Sequence, residues 1–184
     1  MSFRIFIFKG VLVFSALAGG IVAQAATDGT LGPTSTGIAN ITITVARELR
    51  VSNLDDITLG TFDAASAPVT GTDTLCVYDN GLTGYQVTLS SANGVGSFQM
   101  RNGTSIVTYG VEYDDTGTGT NFVSVTEGVV LTARANASTT DDTCITRGSD
   151  NATVRVRVTT ADMAGVDTNG SHTDTLTLLV APSP

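Results

Sequence analysis

The stretch Ile38-Ala39-Asn40-Ile41-Thr42-Ile43-Thr44-Val45-Ala46 decides the fold class of this chain, because its residues alternate between apolar and polar. Four small or branched apolar residues share one face of the stretch: Ala39, Ile41, Ile43 and Val45. A period of two is typical of a β-strand with one face buried and the other in solvent. The stretch therefore predicts a half-buried strand.

The same alternation continues through most of the sequence. Two further sets of apolar residues each share one face of a predicted strand. The first set is Val154, Val156 and Val158, and the second is Leu176, Leu178 and Val180. The remaining strands are predicted at 48–53, 57–62, 73–78, 84–91, 105–113 and within 121–134, with the last strand of the chain at 173–181. Clusters of Gly, Asn and Asp separate these strands, and no segment has a convincing helical pattern. Short strands with regular turns predict an all-β chain with the architecture of an immunoglobulin-like β-sandwich.

The N-terminus has a different character from the rest of the chain. Arg4 and Lys9 precede an apolar run from Val11 to Val22, and Ala23-Gln24-Ala25 follows it. A basic start, an apolar run and a small-x-small triplet are typical of a secretory signal peptide. A membrane anchor is the alternative, but Lys9 interrupts the apolar run. The sequence therefore predicts four parts, which are a signal peptide at 1–25, a flexible leader at 26–37, an N-terminal strand at 38–46 and a β-sandwich domain at 47–184.

Composition excludes several function classes. The chain of 184 residues carries 9 Lys+Arg against 17 Asp+Glu, a formal net charge of −8. Nucleic acid is not an expected partner, because its phosphates require a cationic surface. One histidine and two cysteines are too few for a metal cluster. We expect no catalytic site, no metal and no cofactor, and therefore a protein that is not an enzyme.

The two cysteines, Cys76 and Cys144, have the simplest explanation in an exported protein as one disulfide bond. A reactive thiol is the alternative. Three pairs of adjacent aspartates are expected to be solvated turn residues, with calcium binding as the alternative, and they are Asp55-Asp56, Asp114-Asp115 and Asp141-Asp142. His172 is expected to be a surface or strand-end residue without a serine or cysteine constellation around it.

The two ends of the domain suggest how it is used. The last predicted strand is followed only by Pro182-Ser183-Pro184. A sandwich that stops there is expected to lack a final strand and to expose an apolar cleft with an open edge, which invites a strand from another chain. The segment 38–46 has a suitable pattern. The expectation is a polymer whose subunits exchange N-terminal strands.

Several stretches resemble the spore coat protein U domain of subunits of archaic chaperone-usher pili from Gram-negative bacteria. They are Thr36–Val45, Leu59-Gly60-Thr61-Phe62-Asp63, Thr74-Leu75-Cys76-Val77-Tyr78, Gly84–Ser90 and Gly170–Val180. Two positions depart from the pattern. His172 stands where the family usually has tyrosine, and Arg47-Glu48-Leu49 stands where it usually has a cysteine.

The resemblance implies an incomplete immunoglobulin-like sandwich that a neighbour's N-terminal strand completes. The partners would be other copies or sibling subunits, together with a periplasmic chaperone and an outer-membrane usher. The chain would pass through the periplasm to the cell surface as part of a fimbrium, a structure associated with cell adhesion and biofilm. The donor-strand anchors would be Ala39, Ile41, Ile43 and Val45. The acceptor groove would be lined partly by Val154, Val156, Val158, Leu176, Leu178 and Val180.

Two alternatives remain open at the level of sequence. In the first, residues 38–46 complete their own domain, and the chain is a secreted monomer that binds a surface glycan or matrix component. In the second, the chain is a secreted hydrolase, although no catalytic constellation is visible in the sequence.

Overall fold

The computed structural model describes residues 26–81, 83–146, 148–167 and 170–184. Within these ranges the chain forms strands, turns and loops and no helix, which confirms the predicted all-β class. No helix among them is long and apolar enough to cross a membrane. The predicted signal peptide, residues 1–25, lies outside the described residues.

The described residues contain ten strands, which we number in chain order. They are β1 (Leu49–Ser52), β2 (Val69–Asp79), β3 (Tyr85–Ser91), β4 (Gln99–Asn102), β5 (Ser105–Thr108), β6 (Gly110–Asp114), β7 (Val123–Val125), β8 (Leu131–Arg134), β9 (Ala152–Val158) and β10 (Leu176–Pro182).

Most strands belong to two antiparallel sheets. One sheet has five strands in the order β1-β2-β9-β6-β7, and the other has three in the order β10-β3-β8. A separate hairpin joins β4 to β5. The chain passes from one sheet to the other between β2 and β3 and again between β9 and β10, as in Greek-key sandwiches. The fold is an immunoglobulin-like β-sandwich.

Side chains from the two sheets meet in one apolar core. Tyr85 of β3 and Tyr113 of β6 are both fully buried, and their hydroxyl oxygens lie 2.9 Å apart. Buried valines and leucines that alternate along β2, β3 and β9 surround this pair. The alternation in the sequence thus reflects one face of each central strand packed in the core.

A disulfide bond joins β2 to the loop before β9. The sulfur atoms of Cys76 and Cys144 are bonded, and their Cα atoms lie 5.7 Å apart. Both side chains are buried. The predicted disulfide is confirmed, and it closes a loop with a sequence separation of 68 residues.

The chain divides into two units, Met1–Val45 and Ala46–Pro184. In the described part of the first unit, the backbones of Thr27 and Ile38 form an isolated antiparallel bridge with two hydrogen bonds of 2.9 Å. All ten strands belong to the second unit.

Two predicted strands differ from the structure. Residues 39–46 are not part of any β-ladder among the described residues, and the half-buried strand expected there is not formed. A single strand has no hydrogen-bonding partner of its own, so an alternating pattern does not produce a strand where no second strand lies beside it. Residues 57–62 also form no strand, because the backbone leaves the ladder at Asn53, which has a φ of 61°.

Candidate functional site

A cleft of about 870 Å³ lies between the two sheets of the second unit. One wall is the strandless segment 54–62, and the opposite wall is the segment 170–178, which leads into β10. Apolar side chains of β9 line it as well, and all three were predicted as groove residues: Val154, Val156 and Val158. The cleft is therefore an apolar groove in the sandwich itself.

The first wall is held in place by β2. The carboxylate of Asp73 accepts a 2.9 Å hydrogen bond from the amide of Asp55. Burial raises the pKa of Asp73, although the hydrogen bond from Asp55 acts in the opposite direction. Further along β2, Gly71 leaves space for the wall, because a Cβ atom there would lie only 2.6 Å from Cγ2 of Ile57 and 3.0 Å from Cδ2 of Leu59.

The opposite wall ends in an unpaired sheet edge. β10 is the edge strand of its sheet and pairs with β3 on one side only. The backbone hydrogen bonds of Thr175 and Ser183, which are 2.9 and 3.1 Å long, are formed on the side of β10 that faces β3. Since N–H and C=O groups alternate in direction along an antiparallel strand, the even-numbered residues Leu176, Leu178 and Val180 direct theirs away from β3. We call this row of backbone groups the open edge.

A polar cluster fixes the start of this wall. The carboxylate of Asp174 accepts 2.6 Å hydrogen bonds from the hydroxyls of Ser91 and Tyr109, and it accepts two more from the amide and side chain of Asn93. Burial raises the pKa of Tyr109, and the bond to Asp174 raises it further. Asp174 thus ties the lead-in of β10 to β3 and to the residue between β5 and β6.

The charged groups that line the cleft are mainly acidic. They are Asp55, Asp56, Asp167 and Asp174, with His172 as the only basic type among the described lining residues. An occupant with acidic side chains would be repelled here, whereas an uncharged apolar segment would not.

The segment 38–46, which we call the donor segment, carries no charged residue. Its apolar side chains are in solvent, with exposed fractions of 96% for Ile41, 86% for Ile43 and 76% for Val45. Ala39 is exposed as well. A row of alternating branched apolar side chains in solvent is a feature that often marks a site of interaction.

The structure brings most of the predicted groove residues together. Leu176 and Leu178 line the same cleft as the three β9 valines. Val180 is only half-buried against the core and is not among the lining residues, because the cleft follows residues 170–178 rather than the far end of β10. The donor anchors and groove residues remain predictions as functional assignments.

Several lining residues could not be identified as such from sequence. Ile57, Leu59 and Phe62 were read as members of an ordinary strand, but they form a strandless wall. Met100 and Met163 lie far apart in the sequence, and both line the cleft. The sequence signal for Asp174 was its place in the stretch that resembles the family's terminal strand.

One sequence interpretation needs correction: Asp114 was expected to be solvated, but it is fully buried. Its carboxylate accepts hydrogen bonds from the backbone of Thr116, Thr120 and Asn121, and although burial acts to raise its pKa, these bonds hold the pKa below the ordinary value. Asp114 is buried rather than solvated because the loop 114–121 folds tightly around its carboxylate. His172, expected to be a surface or strand-end residue, is half-buried before β10, and its Nε2 lies 2.9 Å from Oγ of Ser105, which also accepts a hydrogen bond from the amide of Asp167. No group of three or more metal-ligating side chains occurs among the described residues.

Comparisons with known proteins identify the fold. No protein-family model matches the chain, and no curated protein matches it. A similar chain occurs in a solved structure of the chaperone–tip adhesin complex described as vital for the synergistic activation of CFA/I fimbriae biogenesis, with a TM-score of 0.52 and 12% sequence identity. The match covers 74% of this chain and 42% of that chain, so this chain spans less than half the length of its structural neighbour. The likeness shows a shared fold.

Proposed function

We propose that the chain is a structural subunit of a secreted surface fibre and that it polymerises by donor-strand complementation. In this proposal the donor segment of one copy occupies the cleft of another copy or of a sibling subunit. The observation that carries the proposal is the combination of an apolar cleft beside an open edge with an exposed, uncharged segment of alternating apolar residues.

The two surfaces match in pattern. A strand beside β10 would receive backbone hydrogen bonds from the open edge at Leu176 and Leu178, whose side chains face the cleft. Opposed residues of paired strands place their side chains on the same face of a sheet, so the donor's apolar face would enter the cleft and its Thr face would remain in solvent. Burial of each isoleucine would contribute roughly 1.5–3 kcal/mol.

The structural neighbour supports a place in pilus biology. Its chain belongs to a chaperone–tip adhesin complex of fimbriae, which is consistent with a chaperone as one partner of this chain. In the proposal, a periplasmic chaperone covers the cleft before assembly and an outer-membrane usher handles export. The resemblance to the spore coat protein U domain points to the same route, from the periplasm to the cell surface.

A hydrolase is the less supported alternative. The contact between Ser105 and His172 is of the kind that activates a serine nucleophile. The serine oxygen, however, also accepts the amide of Asp167, so the pair ties residues 167–172 to the start of β5. A structural role, in which the contact holds one wall of the cleft in place, explains it without a catalytic reaction.

A pair of matched double variants tests the proposal. Ile41→Asp with Ile43→Asp places two carboxylates on the apolar face of the donor segment, against a cleft whose charged lining is mainly acidic. We expect this variant to fold but to form no SDS-stable polymer on the cell surface. Thr42→Asp with Thr44→Asp adds the same charge to the other face and is expected to polymerise. Normal fibres from the first variant would refute the donor-strand assignment.

A further inference from the structure

The chain is fixed to the domain directly after the donor segment. Arg47, two residues beyond the last anchor Val45, forms a two-pronged ion pair with Asp79 at the end of β2, with Nε to Oδ1 at 3.0 Å and Nη2 to Oδ2 at 2.6 Å. The Asp79 side chain is 1% exposed, and that of Arg47 is 27% exposed. A two-pronged pair fixes the direction of the guanidinium as well as its distance from the carboxylate.

The guanidinium has further partners in the same turn. It donates to the hydroxyl of Thr83 at 2.9 Å and to the carbonyl of Gly84 at 2.6 Å. Gly81 leaves the space that the group occupies, because a Cβ atom there would lie 2.5 Å from Nε of Arg47. The amide of Gly81 in turn donates to Asp79 at 2.8 Å.

The backbone on both sides of Arg47 is held by one more residue. The side chain of Asn80 donates to the carbonyl of Ala46 and accepts from the amide of Glu48, both at 2.9 Å. The amide of Asn80 also bonds the carbonyl of Glu48 at 3.3 Å. Three consecutive residues, 46–48, are thus bound to residues 79–84 by side chains and backbone. We call this arrangement the Arg47 clamp.

Burial acts to raise the pKa of Asp79, but its bonds from Arg47 and Gly81 and the charge of Arg47 hold the pKa below the ordinary value of 3.8. The carboxylate therefore remains charged under neutral and mildly acidic conditions. By contrast, the pair between Arg50 of β1 and Asp142 is half-exposed on both sides and is of the surface type that contributes little.

We propose that the Arg47 clamp is the mechanical joint of the fibre, the point at which tension in the donor segment enters the folded domain. The inference rests on the proposed function. Ala46 alone separates the last anchor, Val45, from Arg47, so a clamped chain leaves few rotatable bonds between an occupied cleft and the next domain. Without the clamp, the first fixed backbone would begin in β1, and every joint would gain free residues.

The test is the stiffness of fibres sheared from cells that carry chromosomal variants. Arg47→Ala is expected to keep the SDS-stable ladder but to shorten the persistence length, measured by electron microscopy, by about two-fold or more, because residues 46–48 are then held by Asn80 alone and each joint becomes more flexible. Arg50→Ala, which removes the exposed pair on β1, is expected to leave the persistence length unchanged. If the Arg47→Ala chain does not reach the cell surface, Arg47→Lys takes its place in the stiffness measurement. Lysine keeps the positive charge but cannot form the two-pronged contact.

The outcomes separate the two proposals. Fibres of the Arg47 variant with the wild-type persistence length would overturn the joint but leave donor-strand polymerisation standing. An equal reduction in persistence length in Arg50→Ala fibres would also overturn the joint, since the effect would then not be specific to the clamp. A wild-type chain that forms no SDS-stable ladder would overturn the proposed function and the joint together.

Discussion

At the scale of single residues, the bond between Cys76 and Cys144 is the feature with the most predictable energetic effect. It closes a loop with a sequence separation of 68 residues and removes conformational freedom from the unfolded chain. In the chain-entropy model such a loop contributes roughly 4 kcal/mol. We expect Cys76→Ala with Cys144→Ala to lower the melting temperature by about 10 °C. This value follows from the usual relation between unfolding free energy and melting temperature for a domain of this size. A change within experimental error would mean that the bond only fastens an already rigid loop.

The buried tyrosines predict how stability depends on alkaline pH. Burial raises the pKa of Tyr85 to about 12 and raises those of Tyr109 and Tyr113 as well. A raised pKa means that the folded state keeps protons that the unfolded state releases near the ordinary value of 10.0. The stability that these groups contribute is therefore complete below about pH 10 and is lost as the pH rises toward 12.

Urea unfolding between neutral pH and pH 11 measures this dependence, with tyrosinate absorbance recorded in the same samples. We expect the unfolding free energy to fall above pH 10, and Tyr113→Phe to reduce the slope. Full ionisation of Tyr85, Tyr109 and Tyr113 in the folded chain at pH 10 would contradict the burial argument.

At the scale of elements, the wall of the cleft depends on the absence of a side chain in β2. Gly71→Ala would place a Cβ atom within 2.6 Å of Ile57 and force the 54–62 segment away. We expect a folded domain whose cleft takes up a donor poorly, seen as a several-fold loss of SDS-stable polymer. Gly110→Ala in β6 is the matched control, because its nearest neighbour would be 3.8 Å away. Equal polymer from both variants would show that this wall does not shape the acceptor.

Alternating apolar residues located the central strands well. Tyr85, Val87 and Leu89 alternate with polar residues and form β3 with the same residues buried. Alternation alone could not reveal that residues 57–62 leave the ladder, because this depends on the left-handed backbone at Asn53. Nor could it show which sheet edge would accept the donor segment in the proposed polymer, because the pairing partner of an edge is set by the assembly rather than by local sequence.

The candidate site was predictable to a similar degree. Five residues expected in the acceptor groove lie along one cleft, Val154, Val156, Val158, Leu176 and Leu178, whereas Val180 does not; their role as an acceptor stays a prediction. The cluster around Asp174 and the clamp at Arg47 were not foreseen, because polar contacts between residues distant in sequence leave no periodic signal.

At the scale of the whole molecule, the described residues form a sandwich with an apolar cleft beside the edge strand β10, and residues 38–46 form an exposed segment with alternating apolar side chains. A covered cleft would protect the open edge from unspecific pairing, which is the usual hazard of an unpaired strand. The acidic lining favours an uncharged donor, and residues 38–46 carry no charge. These properties fit the proposed exchange of donor segments between subunits.

The most direct measurement is a denaturing gel of material sheared from the native cell surface, probed for this chain with and without boiling in SDS. Strand exchange predicts a ladder of multimers in the unheated lane, because a strand that is buried along its full length leaves its groove slowly. Boiling should collapse the ladder to one band at the size of the single chain. A single monomer band in both lanes would contradict donor-strand polymerisation and favour a self-complete secreted module.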